Sequence, residues 1–212
     1  MTRTLAIALA AMLAPALASA DACRDEIAAL FDTGPLNPFN LPPNHVEKEV
    51  LNPDGSRQYI LDIHTQSPTR IVSGIRGGML MMMVGSDTWM GPSLDGPWTA
   101  GQRMQTDDME AAQRTVPEAQ ARNLSDTECP GITSLDGKDR LTYVFRTRTD
   151  PHPARGNSWW GSLDRVYIDP ATGLIDEIHQ TEHVASWAEG MKMETHILRY
   201  SYDPDLRIEP PE

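Results

Sequence analysis

Three groups of side chains in this 212-residue chain have types and spacings that can do chemistry. The first is a methionine cluster. Met79, Met81 and Met83 alternate along one expected strand and share a face, while Met82 turns the other way. Met90, Met104, Met109, Met191 and Met193 add further thioethers. Soft thioethers select Cu(I), so periplasmic copper handling is one reading. The other is an adaptable apolar wall, because an unbranched thioether repacks at little cost. The run lies in the most apolar of the expected strands, which favours the wall.

The second group is Glu177, His179, Thr181 and His183, placed at every second position of an expected strand. His179 and His183, with Glu177, have ligand types that hold a metal. A solvated sheet face shows the same alternation, and this is the preferred reading. A hairpin centred near Ala188 gives His196 the wrong parity to join them. The third group is Cys23 and Cys129, the two cysteines of the chain. No CxxC pattern and no histidine nearby in sequence activates a thiolate, so the pair is expected to form a disulfide in an oxidising compartment. No GxSxG, HExxH, P-loop or GxGxxG pattern occurs. Only a triad assembled by the fold would make this an enzyme. No catalytic residue is assigned and no cofactor is implied.

The elements that must position these groups are mostly short strands. Ala22 to Phe31 reads as an amphipathic helix with Ile27, Leu30 and Phe31 on one side. Pro35, Pro38, Pro42 and Pro43 make an extended connection. Asn52-Pro53-Asp54-Gly55 joins two strands as a hairpin turn. Met79 to Val84 is apolar on both faces, which predicts a central strand covered twice. Gln102 to Asn123 is polar with helical propensity, and Pro117 is expected to split it or to start a second helix. After Cys129-Pro130-Gly131, Leu135-Asp136-Gly137-Lys138 reads as a further hairpin turn, with a strand over Leu141 to Thr149. The last stretch predicts three antiparallel strands, Trp160 to Ile168, Leu174 to Val184 and Met193 to Tyr202, with Asp169-Pro170-Ala171-Thr172-Gly173 as the tight reversal. Trp89, Trp98, Trp159, Trp160 and Trp187 lie in or beside strands, where core packing is expected. About nine strands without βαβ alternation predict an α+β fold. The expected architecture is a single curved antiparallel sheet, an incomplete β-barrel, with helices covering one face.

Residues 1–20 read as a secretory signal peptide: Arg3, an apolar run from Leu5 to Leu13, and Ala18-Ser19-Ala20 as the cleavage site. The run is too short to span a bilayer. Asp21-Ala22 before Cys23 does not suit an acylation site. Residues 21–212 then form one domain, periplasmic or secreted, with a core of ordinary size. The formal net charge of −12 repels nucleic acid and anionic lipid headgroups.

Two segments carry a resemblance. Val166-Tyr167-Ile168-Asp169-Pro170-Ala171-Thr172-Gly173-Leu174, followed by Tyr202-Asp203-Pro204-Asp205-Leu206-Arg207-Ile208-Glu209-Pro210-Pro211, resembles the ending of periplasmic lipoprotein-carrier-like (LolA-like) proteins. That resemblance implies a curved, incomplete barrel whose helices close an apolar cavity, and binding of acyl chains or other hydrophobic ligands without catalysis. The residues and the resemblance together lead to a binder of a hydrophobic small molecule or lipid. Leu80, Met81, Met83 and Tyr143 are expected to line the concavity, and Met109 to sit in a helical lid over it. The competing classes are a metal-handling protein or enzyme, and a partner-binding module with a solid core.

Overall fold

The computed structural model describes residues 14–104, 106–153, 156–188 and 194–211. Most of the expected leader, with Arg3 and Leu5 to Leu13, lies outside them, as do Met191 and Met193. Helix α1 (Ala14–Asp32) runs through the expected cleavage point and ends in a proline-rich connection. Strands β1 (Asn44–Leu51), β2 (Arg57–Ser67), β3 (Arg70–Ile75), β4 (Leu80–Val84), β5 (Asp87–Gly91) and β6 (Thr99–Ala100) follow as a meander. Helix α2 (Met109–Arg122) crosses to a second meander. This comprises β7 (Ser125–Leu135), β8 (Lys138–Arg148), β9 (Trp160–Ile168), β10 (Ile175–Ala185) and β11 (Thr195–Tyr202). All eleven strands form one sheet in the order β6-β5-β4-β3-β2-β1-β11-β10-β9-β8-β7. The sheet is antiparallel and curved, and it does not close into a barrel. The two meanders meet where β1 pairs with β11, Val46 opposite Tyr200 and Lys48 opposite Leu198.

Local chemistry explains the joints. At the β9–β10 turn the Asp169 side chain accepts from the Ala171 N–H at 2.8 Å, and Gly173 takes a φ of +71° that a side chain would resist. The β1–β2 turn repeats this, with Asp54 accepting from the backbone N–H and hydroxyl of Ser56. Helix α2 starts at Asp108, whose carboxylate accepts from the Ala111 N–H at 2.9 Å. The helix therefore begins later than the composition of Gln102 to Asp108 predicts. It is also not split at Pro117: the ring is buried inside the single helix, and packing offsets the lost backbone bond.

Cross-strand partners assign the two faces of the sheet. One row reads Ile75, Leu61, Lys48, Leu198, Ile178, Val166 and Tyr143 across β3, β2, β1, β11, β10, β9 and β8. This face carries the helices. Cys23, Ile27 and Phe31, spaced one turn apart on α1, pack with Tyr143, Phe145, Val166 and Ile178. The Phe31 and Phe145 rings meet edge to face at 5.6 Å. Cys23 and Cys129 are bonded, with Cα atoms 5.8 Å apart, and this ties α1 to β7. The opposite face holds a smaller cluster of Val72, Met82 and Ile208, with Leu80 and Trp98 against it. The Ile208 N–H donates to the Gln66 side chain at 2.7 Å and the Ile208 carbonyl accepts from Arg70 at 2.8 Å, so the tail is strapped down. Elsewhere that face is charged: the Arg76 guanidinium reaches both Glu47 and Asp62 at 2.7 Å. It holds the Asp62 carboxyl down at about 2.

Two expectations need correction. Strand β4 is not central and not covered twice. It stands third from the β6 edge, and Met81 is 43% exposed, while Met82 and Met83 are buried. The physical reason is that α1 docks on the other meander, so its apolar residues cover β8 to β10 instead. The expected hairpin turn forms at Leu135-Asp136-Gly137-Lys138, between β7 and β8, and Cys129-Pro130-Gly131 lies inside β7. Proline is tolerated there because β7 is an edge strand, and the ladder shifts register twice across it. The strand count is eleven rather than nine, because β7 and the two-residue β6 carry weak signals.

Gly161 marks a close approach between β9 and β8. A Cβ there would press on the Thr147 carbonyl and come within 2.6 Å of Arg148 Cβ. Gly161→Ala should lower stability by about 1–3 kcal/mol, read from the urea midpoint. An unchanged midpoint would show that β8 yields freely.

Candidate functional site

The helix-bearing face divides into three zones. Under the helices lies a cavity of about 190 Å³, lined by Phe31, Leu36, Leu41, Ile178, Leu198 and Tyr200 among others. The proline-rich connection roofs it because the Asn37 and Asn40 side chains donate to the Asp32 carbonyl at 2.9 and 3.0 Å, folding that segment back. Asp164 also lines this cavity and is 5% exposed. Burial pushes its carboxyl up to about 6, against the opposing pull of hydrogen bonds donated by Ser162 and Gln180.

The second zone is the half of the face that the helices leave open. Tyr59, Leu61, Ile63 and Ile71 are half-buried there, and Ile75, Met81 and Met90 are exposed. Met81 and Met90 stand directly opposite each other on β4 and β5.

Farther along β9 to β11, and reaching Lys48 of β1, is a cavity of about 370 Å³, lined by Lys48, Trp160, Gln180, His183, Trp187 and His196, with Ser162. Gln180 lines this cavity and the smaller one. The His183 and His196 rings lie 3.9 Å apart at 44°. His183 Nε2 and His196 Nδ1 are buried without a hydrogen-bond partner. Burial, reinforced by Lys48, pushes His183 down to about 4 and His196 down to about 3, so both rings are neutral at physiological pH. Burial also lowers the Lys48 ammonium, against the pull of Glu194.

The residues singled out from sequence distribute as follows. Met81, Met83 and Tyr143 share the helix-bearing face, but six strands stand between β4 and β8. Tyr143 is packed under α1, where its hydroxyl donates to Glu26 at 2.5 Å. Leu80 stands on the opposite face, against Val72 and Met82. Met109 is buried in the first turn of α2. The shared face expected for Glu177, His179 and His183 does not form. Glu177 and His179 touch on the charged face, beside Arg199. His183 turns to the helix side, because the ladder shifts between Thr181 and Val184 and Glu182 takes a φ of +49°. The expected hairpin register itself holds, with Gln180 opposite His196, so the bulge is what brings the two imidazoles together. Among the described residues no group of three or more His, Cys, Asp or Glu side chains is placed to hold a metal ion.

The chain is similar in structure to the lipoprotein LppX of Mycobacterium tuberculosis, at 10% identity and a TM-score of 0.49, over 89% of this chain and 99% of that one. LprF from Mycobacterium bovis matches at 10% identity and a TM-score of 0.47, over 88% and 97%. A LolA superfamily protein from Nitrosomonas europaea matches at 11% identity and a TM-score of 0.32, over 86% and 91%. No family model matches the sequence, and no curated protein matches it.

Lys48, Asp164, Gln180 and His196 were not among the sequence candidates for the pocket. Lys48 had a signal: in Val46-Glu47-Lys48-Glu49-Val50 it takes the apolar parity of the two valines.

Proposed function

We propose that this protein is a non-enzymatic binder of a hydrophobic ligand, a lipid or acyl chain, in the periplasm or outside the cell. One observation carries the reading. The helix-bearing face is largely apolar across both meanders, yet the helices cover only one of them, leaving Ile75, Met81 and Met90 exposed at 49, 43 and 40%. An open apolar floor on the same face as a roofed cavity suits a flexible chain, and each buried methylene would contribute about 0.8 kcal/mol before ordering costs. In this reading Met81 and Met83 form the adaptable wall, Tyr143 stiffens the floor under α1, and Met109 anchors the covering helix. Leu80 supports β4 from the other side. Export, with loss of residues 1–20 after Ala20, supplies the oxidising compartment with which the Cys23–Cys129 bond is consistent. No described helix is long and apolar enough to cross a membrane.

The test is a titration with N-phenylnaphthylamine, an uncharged apolar fluorophore, beside solvent extraction of the purified protein. Saturable binding is expected, and Met81→Asp should weaken it at least tenfold. Because Met81 is 43% exposed, that change should move the melting temperature by only a few degrees. A wild-type protein that neither binds the fluorophore nor carries extractable lipid would retire the proposal.

A further inference from the structure

Lys48 is out of place by every rule that built the row around it. Its row neighbours are Ile75 and Leu61 on one side and Leu198 and Ile178 on the other. On β1, β2, β8, β9, β10 and β11, the register puts no other Lys or Arg on the helix-bearing face. The ammonium makes no ion pair or hydrogen bond among the described residues. A charge held on an apolar face raises the free energy of the empty protein unless an opposite charge arrives to meet it.

Around this charge the cavity supplies what an oxyanion needs. His196 can direct its one N–H from Nδ1, a buried position without a partner, whereas the His183 ring proton is held by the Gln180 carbonyl, so its unpartnered Nε2 donates only when the ring takes up a proton as an anion arrives. Trp160 and Trp187, with ring centroids 6.3 Å apart, wall the same cavity. Glu194 is the carboxylate that faces the group, its Oε2 lying 3.5 Å from His196 Nε2. Asp164 lies behind Gln180 and is committed to Ser162 and Gln180. Among the described residues Glu194 is the one carboxylate whose field reaches the ammonium, and it forms no ion pair with it, so the ammonium and the unpartnered ring nitrogens stay open to a second anion. Immediately beside Lys48 begin Leu61 and Tyr59 of β2, which lead to the open apolar zone.

We propose that Lys48, with His183 and His196, receives the oxyanion head of an acyl amphiphile whose chain lies along the open apolar rows of β2 to β5. This rests on the hydrophobic-ligand reading and adds the head group to it. The acidic surface does not oppose it, since a single amphiphile enters a local cationic pocket while bulk anionic surfaces are kept away. The head is a carboxylate or a phosphate monoester, as both present the same acceptors to an ammonium and imidazole N–H groups.

The experiment displaces bound N-phenylnaphthylamine with oleate, oleyl phosphate and oleyl alcohol, which share one chain and differ in the head. Both oxyanions should compete at least tenfold better than the alcohol, and the better of the two names the source. Lys48→Met, whose side chain suits the apolar row, should remove the preference while keeping the affinity for the alcohol. Lys48→Arg should retain the preference, and this excludes a mere folding effect. Equal competition by all three ligands, or a preference that survives Lys48→Met, would overturn the head-group assignment and leave the hydrophobic site standing. Failure of every ligand and of the fluorophore would overturn both.

Discussion

Replacing Cys23 and Cys129 together by serine should lower the stability of this protein by about 4–5 kcal/mol, the largest effect of any substitution considered. The bond joins residues 106 apart in sequence, so cutting it releases the entropy of a very long loop in the unfolded chain. Native contacts should respond unevenly. Helix α1 contributes Ile27 and Phe31 to the main core, and without the tether these must hold it alone. Hydrogen exchange in α1 should therefore accelerate more than in β9 and β10. Cys129 is exposed, so a reductant should reproduce the variant in the wild type. Urea denaturation with and without reductant measures the difference. A loss below about 1 kcal/mol would mean that the unfolded chain is already compact around this pair.

The second large effect concerns Asp164. Asp164→Asn should stabilise the protein by about 2–3 kcal/mol at pH 8 and leave it nearly unchanged at pH 4. Burial raises the folded-state carboxyl to about 6, above its ordinary value of 3.8. Below the ordinary value both folded and unfolded states hold the proton. Between the two values only the folded state holds it, so stability falls as pH rises. Above about 6 both are ionised and the cost of a buried carboxylate is complete. Asparagine keeps an acceptor for the Ser162 hydroxyl and carries no charge. Urea midpoints measured from pH 4 to pH 8 should slope downward in this window for the wild type and less so for the variant. Parallel slopes would show that another group carries the dependence.

The two meanders were legible wherever structure is decided by neighbours in sequence. Asn52-Pro53-Asp54-Gly55 and Asp169 to Gly173 close their turns with their own side chains, so composition alone locates them. The antiparallel class and the helix around Ile27 were readable for the same reason, and the cysteine pairing because the chain holds two cysteines and an expected export signal. The cover of β4 was not, because an apolar strand does not reveal on which half of a sheet a distant helix docks. Strand β7 was hidden by Pro130-Gly131, which only an edge position tolerates. The pocket was the least legible part. His183 and His196 meet through a single left-handed residue, Glu182, and glutamate has no local preference for that conformation. Lys48 was readable from its parity with Val46 and Val50, but only once that face of β1 is known to be the apolar one.

An open sheet ends in two rows of unpaired amides, and here both ends are unsuited to further growth. At one end β6 offers two residues, too few to seat another strand. At the other, β7 is eleven residues long, yet Pro130 withholds a donor and the positive φ at Asp126 and Gly131 bends the ribbon between two register shifts. A neighbouring chain that tried to add edge to edge would meet a broken template. The same irregularity that lets β7 reach the disulfide thus acts against fibrous self-association, in a molecule that leaves much of its apolar floor uncovered.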